Sequence, residues 1–287
     1  MSDDEAAPSP LTVQQAQNWA LARGIDRIDS QWLLCRVMSC DRSDLVTRGN
    51  ECLEVSEAAA FANGIGRLVR GEPLAYVLGD AVFRGLHLSV SPSVLIPRSD
   101  TETLVDWGVE ILTQSGLWPS PFVLDLGTGS GAIALAMKHT CPHAHVTATD
   151  FSSAALETAR GNAERLGLEI RWTQGDWWDA VLPQRFHLVL SNPPYIADDD
   201  AHLLDLTHEP RESLVSAHGG LADLHAIIDA APDGLHDGGW LALEHGHDQA
   251  VAVAQRLVDR GFVDVGSRRD LAGRWRCTGG RWSAARD

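Results

Sequence analysis

Positive charge is scarce in this chain of 287 residues, where 23 Lys and Arg stand against 39 Asp and Glu and the net charge is −16. That deficit argues against a protein built to hold a long phosphate backbone, because such binding rests on Lys and Arg contacts. The arginines that do gather, Arg268, Arg269, Arg274, Arg276 and Arg281, read as solvated ends of late strands. No apolar run reaches the length of a membrane span, and no secretory leader is recognisable. Cysteine is sparse as well. Cys35, Cys40, Cys52, Cys141 and Cys277 are odd in number and lack paired CxxC spacing, which argues against a disulfide framework. They are expected to be reduced, mostly buried thiols of a cytoplasmic protein. Twelve histidines are present, among them His139, His143, His145, His245 and His247. No helical His-x-x-x-His with a nearby acid stands out, so no metal site is expected. Met1 to Pro10 is acidic and rich in Pro and Ser, the composition of a loose tail.

Apolar residues make up 44% of the chain, enough for a sizeable core in one large or two ordinary domains. The most regular stretch begins at Phe122. Residues 122–126 form an apolar strand, Gly127-Thr128-Gly129-Ser130-Gly131 a glycine turn, and Ala132–Ala136 the start of a helix. This is the opening βα unit of a doubly wound sheet. The Gly-x-Gly-x-Gly spacing meets only half of the pyrophosphate-binding fingerprint. Asp150 closes the next strand, 145–150, where a carboxylate suits a ribose diol. By itself it does not separate a nicotinamide nucleotide from S-adenosylmethionine. A further strand, 186–190, runs into Ser191-Asn192-Pro193-Pro194-Tyr195. A residue before proline is kept out of the α region, and proline has a fixed φ and no N–H. The loop is therefore stiff, and it presents two acceptors, the Asn192 side-chain oxygen and the Pro193 carbonyl. Tyr195 adds a flat face for a planar group.

From Leu11 to about Arg70 the apolar spacing is helical and predicts a bundle of some four helices. Such a bundle serves either as a stabilising extension or as a partner-docking module. Residues 71–98 read as a hairpin linker, and Ser99-x-x-Glu102 reads as a capping box for a helix over 104–112. Beyond it, strands near 122–126, 145–150, 169–174, 186–190 and 240–244 alternate with helices that include 221–235 and 248–260. This predicts an α/β fold with a mainly parallel sheet covered on both faces. Two short strands near 263–268 and 274–282 leave no room for a crossover and should pair antiparallel. The glycine turn, Asp150, Asp176-Trp177 and Asn192–Tyr195 all fall at the carboxyl ends of strands, where ligands bind in such sheets.

The Asn-Pro-Pro-Tyr loop resembles the catalytic loop of S-adenosylmethionine-dependent methyltransferases acting on amino or amide nitrogen. With Gly71-Glu72-Pro73, Leu95-Ile96-Pro97-Arg98, Asp100-Thr101-Glu102, Gly175-Asp176-Trp177, Glu209-Pro210 and Leu243-Glu244-His245-Gly246, the chain from Gly71 onward resembles the HemK family. These are protein-(glutamine) methyltransferases acting on peptide-chain release factors. The resemblance implies a Rossmann-like methyltransferase domain with a seven-stranded sheet over 99–287, a hairpin linker over 71–98 and a helical substrate-recognition domain over 1–70. It implies S-adenosylmethionine as methyl donor and the glutamine of the Gly-Gly-Gln loop in class I release factors as acceptor. Gly127, Thr128, Gly129, Ser130 and Gly131 would lie against the methionine moiety, and Asp150 would bind the ribose. Trp177 would flank the adenine, with Asp176 beside it. Asn192 and the Pro193 carbonyl would hold the glutamine amide beside Pro194 and Tyr195. His245 is a weaker candidate for a base, since an amide nitrogen held in line needs none. Ser99 stands where many members have proline. Relatives that methylate a glutamine of a large-subunit ribosomal protein often have Arg-Ser-Pro there, while Asp100-Thr101-Glu102 favours the release-factor branch. DNA adenine methyltransferases use a related loop on a flipped base, a reading that the net charge opposes.

Overall fold

The computed structural model describes residues 11–116 and 118–284, so the acidic tail read over Met1 to Pro10 lies outside the described residues. The chain divides into two compact units after Gly79. In the first, α1 (Val13–Leu21) opens with a reciprocal cap. Thr12 Oγ1 accepts the Gln15 N–H, and Gln15 Oε1 accepts the Thr12 N–H at 2.9 Å. It is followed by α2 (Arg27–Met38), α3 (Arg42–Thr47), α4 (Val55–Val69) and the short α5 (Leu74–Leu78). Leu33, Leu34, Phe61 and Ile65 form this unit's own core. Residues 74–78 are thus a helical turn rather than part of the hairpin expected over 71–98. Pro73 starts the turn, Gly79 ends it with φ +70°, and Arg67 ties it down by donating to the Tyr76 carbonyl.

The second unit begins with the hairpin β1 (Asp80–Phe83) and β2 (Leu86–Ser89), then a 3-10 turn (Ser99–Thr101) leading into α6 (Glu102–Ser115). The capping box expected at Ser99 is absent. Thr101 is the N-cap, and Glu102 Oε1 instead accepts the Arg84 backbone N–H at 3.0 Å, fastening α6 to the hairpin. The alternating part then follows: β3 (Phe122–Leu126), α7 (Ala132–Thr140), β4 (His145–Asp150), α8 (Ser153–Leu166), β5 (Arg171–Gln174) and β6 (Phe186–Ser191). A single turn, α9 (Ala217–Gly220), precedes α10 (Ala222–Gly234), β7 (Leu235–Glu244), α11 (Ala250–Asp259), β8 (Phe262–Arg269) and β9 (Trp275–Trp282). Strand β7 starts five residues before the expected position, because Leu235 pairs with Phe186 across a register shift that absorbs Gly238-Gly239.

The strand order is β5-β4-β3-β6-β7-β9-β8, parallel through β7, with β9 antiparallel to both its neighbours. Strands β3 and β6 are adjacent, and the chain winds outward from β3 in one direction and from β6 in the other. Their carboxyl ends therefore open a crevice. Apolar clusters cover both faces of the sheet. One is centred on Leu104, Met137 and Leu188, the other on Phe186, Ile227 and Leu241. Among the described residues, no helix is long and apolar enough to cross a membrane, and no group of His, Cys, Asp or Glu could hold a metal ion. The five cysteines are free thiols, but only Cys35 and Cys277 are buried and Cys52 is exposed, fewer buried than expected.

Candidate active site

A cleft of about 380 Å³ sits over the crevice between β3 and β6. Of the residues singled out in the sequence, Gly127, Thr128, Gly129, Ser130, Asp150, Asp176, Trp177, Asn192 and Pro194 line it. Gly131, Pro193 and Tyr195 do not. Gly131 caps α7 from beneath with φ +86°, Pro193 is buried, and Tyr195 packs against the apolar cluster under α10.

The glycine turn is shaped from below. Thr128 donates its hydroxyl to Asp125 Oδ2 at 2.6 Å, and the Ala134 N–H at the start of α7 donates to the same oxygen. Burial pushes the Asp125 carboxyl up to about 7, against the pull of these two hydrogen bonds. At Gly129, φ is +55° and an added Cβ would meet no protein atom within 4 Å, so that position is open to the cleft. Gly127 is closed on one side by the Trp177 indole, which a Cβ there would approach to 3.1 Å.

Asp150 closes β4 with both oxygens engaged. Oδ2 accepts the Gly129 N–H and Oδ1 the Ser152 N–H, each at 2.8 Å. Each oxygen keeps a second lone pair for a ligand hydroxyl. Burial raises its pKa, while the two N–H groups oppose the shift. Phe151, 75% exposed, also lines the cleft, and nothing in its sequence context had marked it.

The Asn192–Tyr195 loop is braced from several directions. Ser191 Oγ donates to the Leu126 carbonyl at 2.6 Å, tying the end of β6 to β3. Gln249 Nε2 donates to the Tyr195 carbonyl at 3.0 Å, while Gln249 Oε1 accepts the Gly246 N–H. Asn192 Nδ2 donates to Thr101 Oγ1 at 3.3 Å, and Asn192 Oδ1 takes no hydrogen bond from the described residues. The Tyr195 hydroxyl donates to Glu244 Oε1 at 3.2 Å, and burial beside that carboxyl drives the phenol pKa upward. His245 is fully buried, with Nδ1 against the Gly246 carbonyl and Nε2 against the Thr278 hydroxyl at 2.7 Å. Burial lowers its pKa, and with both nitrogens occupied it cannot serve as a base in the cleft.

Other supports were invisible along the chain. Asn162 is buried on α8 and donates to the Ser130 and Ser89 carbonyls, joining the glycine turn to the hairpin. Glu209 accepts the Ile96 N–H at 3.0 Å and an Arg98 guanidinium N–H, so the Leu95–Arg98 and Glu209-Pro210 motifs form one wall of the cleft. Arg276, expected to be solvated, is instead buried between Asp100 at 3.1 Å and Asp270 at 3.2 Å.

A cradle of left-handed glycines at the start of a helix, an acid with spare lone pairs and a cleft within the ordinary range for small-molecule sites fit a nucleoside-bearing ligand. Residues 101–216 match the methyltransferase small domain family, and residues 14–79 match the PrmC N-terminal domain family. The release factor glutamine methyltransferase of Bordetella pertussis is 45% identical over 90% of this chain and 95% of its own length. That of Xylella fastidiosa strain Temecula1 is 42% identical over 96% of this chain and 98% of its own. Among solved structures, a methyltransferase from Pyrococcus furiosus superposes with a TM-score of 0.52 at 21% identity. It covers 77% of this chain and 99% of that one, a likeness of fold.

Proposed function

The chain belongs to the release factor glutamine methyltransferase family, and from that premise we propose that it methylates the side-chain amide nitrogen of the glutamine in the Gly-Gly-Gln loop of class I release factors. S-adenosylmethionine, the methyl donor, supplies an electrophilic methyl group on its sulfonium. The glycine turn 127–131 and Asp150 hold the donor, with Trp177 and Asp176 at its base. The single observation that carries the acceptor reading is Asn192. Its nitrogen is turned to Thr101 and it lines the cleft, and its oxygen has no partner among the described residues, which supports its use as the acceptor.

An amide nitrogen is a weak nucleophile because its lone pair is delocalised into the carbonyl. The protein's task is therefore to place that nitrogen in line and to stabilise the positive charge that develops on it. Asn192 Oδ1, at the cleft, accepts one N–H of the substrate amide. Pro193 and Pro194 keep that acceptor from moving. Tyr195, anchored through Glu244, stiffens the far end of the loop. No base is required, since alkylation itself acidifies the nitrogen. Two glycines ahead of the target leave the mouth of the cleft clear of side chains.

The helical unit grips the release factor away from the reacting glutamine, so that binding energy from remote contacts serves the reaction. The site of action is the cytoplasm, without membrane or long nucleic-acid partners, in keeping with the net charge of −16. Methyl transfer from labelled S-adenosylmethionine, compared across purified release factor, ribosomal protein and duplex DNA, tests the reading. Label is expected on release factor, and transfer to DNA or preferentially to the ribosomal protein would overturn it.

A further inference from the structure

The Asn192–Tyr195 loop is braced at both ends, and the two braces meet at one side chain that does not itself line the cleft. At the first end, Asn192 Nδ2 donates to Thr101 Oγ1 at 3.3 Å. At the other, Gln249 Nε2 donates to the Tyr195 carbonyl at 3.0 Å, and Gln249 Oε1 accepts the Gly246 N–H at 2.8 Å. Arg276, on β9, reaches towards both. Its Nη2 lies 3.1 Å from Asp100 Oδ2, next to Thr101 in the chain. Its Nη1 donates to the carbonyl of His245, next to Gly246, at 3.4 Å. Resting on the reading of Asn192 as acceptor for the substrate amide, we propose that Arg276 is a positioning residue for methyl transfer: through Asp100 it fixes the turn Ser99–Thr101, and through that turn the placement of Asn192 in the cleft.

The guanidinium has a firm footing. Its side chain is 10% exposed, and behind it Asp270, 1% exposed, accepts from both Nε and Nη2 at 3.2 Å. Asp270 is fixed in turn, because its Oδ1 accepts the Arg274 N–H at 2.9 Å. All three guanidinium nitrogens are thus engaged, and the group cannot swing away without leaving a buried carboxylate unpaired. Only the planar fork of arginine offers donors to a carboxylate on either side and to a carbonyl at once; a lysine ammonium is a single point charge. Asp100 differs from Asp270. Its side chain is 42% exposed, so its ion pair adds little to stability, as is usual for pairs near the surface. What that pair does is carry the order of the sheet edge to the turn that holds Asn192. Neither Arg276 nor Asp100 lines the cleft, so neither touches donor or acceptor.

The test measures kcat with intact release factor at saturating S-adenosylmethionine, alongside donor affinity by calorimetry and thermal melting. Asp100→Ala removes the link at its exposed end. It should lower kcat by about 10- to 100-fold, the scale of a misplaced reactant, with donor affinity unchanged and little loss of melting temperature. Arg276→Met should lower kcat at least as far, and adding Asp100→Ala to it should cost nothing more. The same addition to Asn192→Ala should also leave kcat where that variant alone puts it, because residues that act through one another are not additive. If Arg276→Met does not fold, Asp100→Ala and its combination with Asn192→Ala carry the test. Wild-type kcat in Asp100→Ala, or an undiminished further loss when it is added to Asn192→Ala, would overturn the proposal. So would a lower melting temperature with kcat unchanged, the mark of a merely structural pair. Failure of the wild-type enzyme to label release factor would instead overturn the functional reading, and that arm is scored before any variant.

Discussion

Asp125, at the end of β3 beneath the glycine turn, has oxygens that are treated unequally. Oδ2 accepts from Thr128 and Ala134, while Oδ1 is buried with no partner among the described residues. Desolvation therefore outweighs hydrogen bonding and lifts the carboxyl from 3.8 to about 7. A raised native pKa means that the folded protein holds this proton more tightly than the unfolded chain. Its stabilising contribution is complete below the unfolded value and is lost as pH rises through about 7. Asp125→Asn keeps an acceptor for Thr128 and removes the ionisation. Melting temperatures of the wild type should therefore fall more between pH 5 and pH 8 than those of the variant. Parallel curves would show that Asp125 does not titrate in the folded state.

At the scale of elements, the loop after β6 is held by close backbone approach as much as by its prolines. A Cβ on Gly220 would come within 2.0 Å of the Tyr195 carbonyl oxygen, at φ +85°. Its neighbour Gly219 also has a positive φ, but nothing lies within 4 Å of the same added atom. Gly219→Ala should thus cost about 1–2 kcal/mol of backbone strain. Gly220→Ala adds a clash that displaces the loop, and should show a clearly larger drop in melting temperature together with lost methyl transfer. Equal effects at the two glycines would contradict this packing. Most strand positions were readable because a buried parallel sheet writes a central strand as a short apolar run followed by a turn. The glycine turn, Asp150 and Asn192 were readable because each follows such a run, whereas Asp176-Trp177 follows the polar, half-exposed β5 and was found only by its place in the alternation. The supports were not, since Thr101 meets Asn192 across 91 residues and Asn162 meets Ser89 across 73. Arg276 looked like a surface arginine because one of its partners, Asp100, lies far away in the chain, and the other, Asp270, meets it only when the β8–β9 turn folds back. Ser99 to Glu102 misled for a related reason: Glu102 caps the Arg84 N–H of the hairpin rather than its own helix.

For the whole molecule, the chain forms two compact units with separate cores. The helical unit encloses Phe61 and Leu34, and the larger unit encloses its sheet on both faces. The cleft is lined by residues of the larger unit, where the glycine turn and Asn192 lie at the carboxyl ends of the adjacent strands β3 and β6. The central claim is that this cleft joins a donor held by the turn to an amide held by Asn192. Fragment mass spectrometry of intact release factor, after incubation with S-adenosylmethionine and either wild-type enzyme or Asn192→Ala, tests that claim most directly. The account predicts one methyl group on the Gln side chain of the Gly-Gly-Gln loop with the wild type. It predicts a rate lower by about 10²–10³ with the variant, the usual cost of removing one oriented electrostatic contact. Methylation at another residue, or an Asn192→Ala enzyme that modifies the glutamine at the wild-type rate, would contradict it.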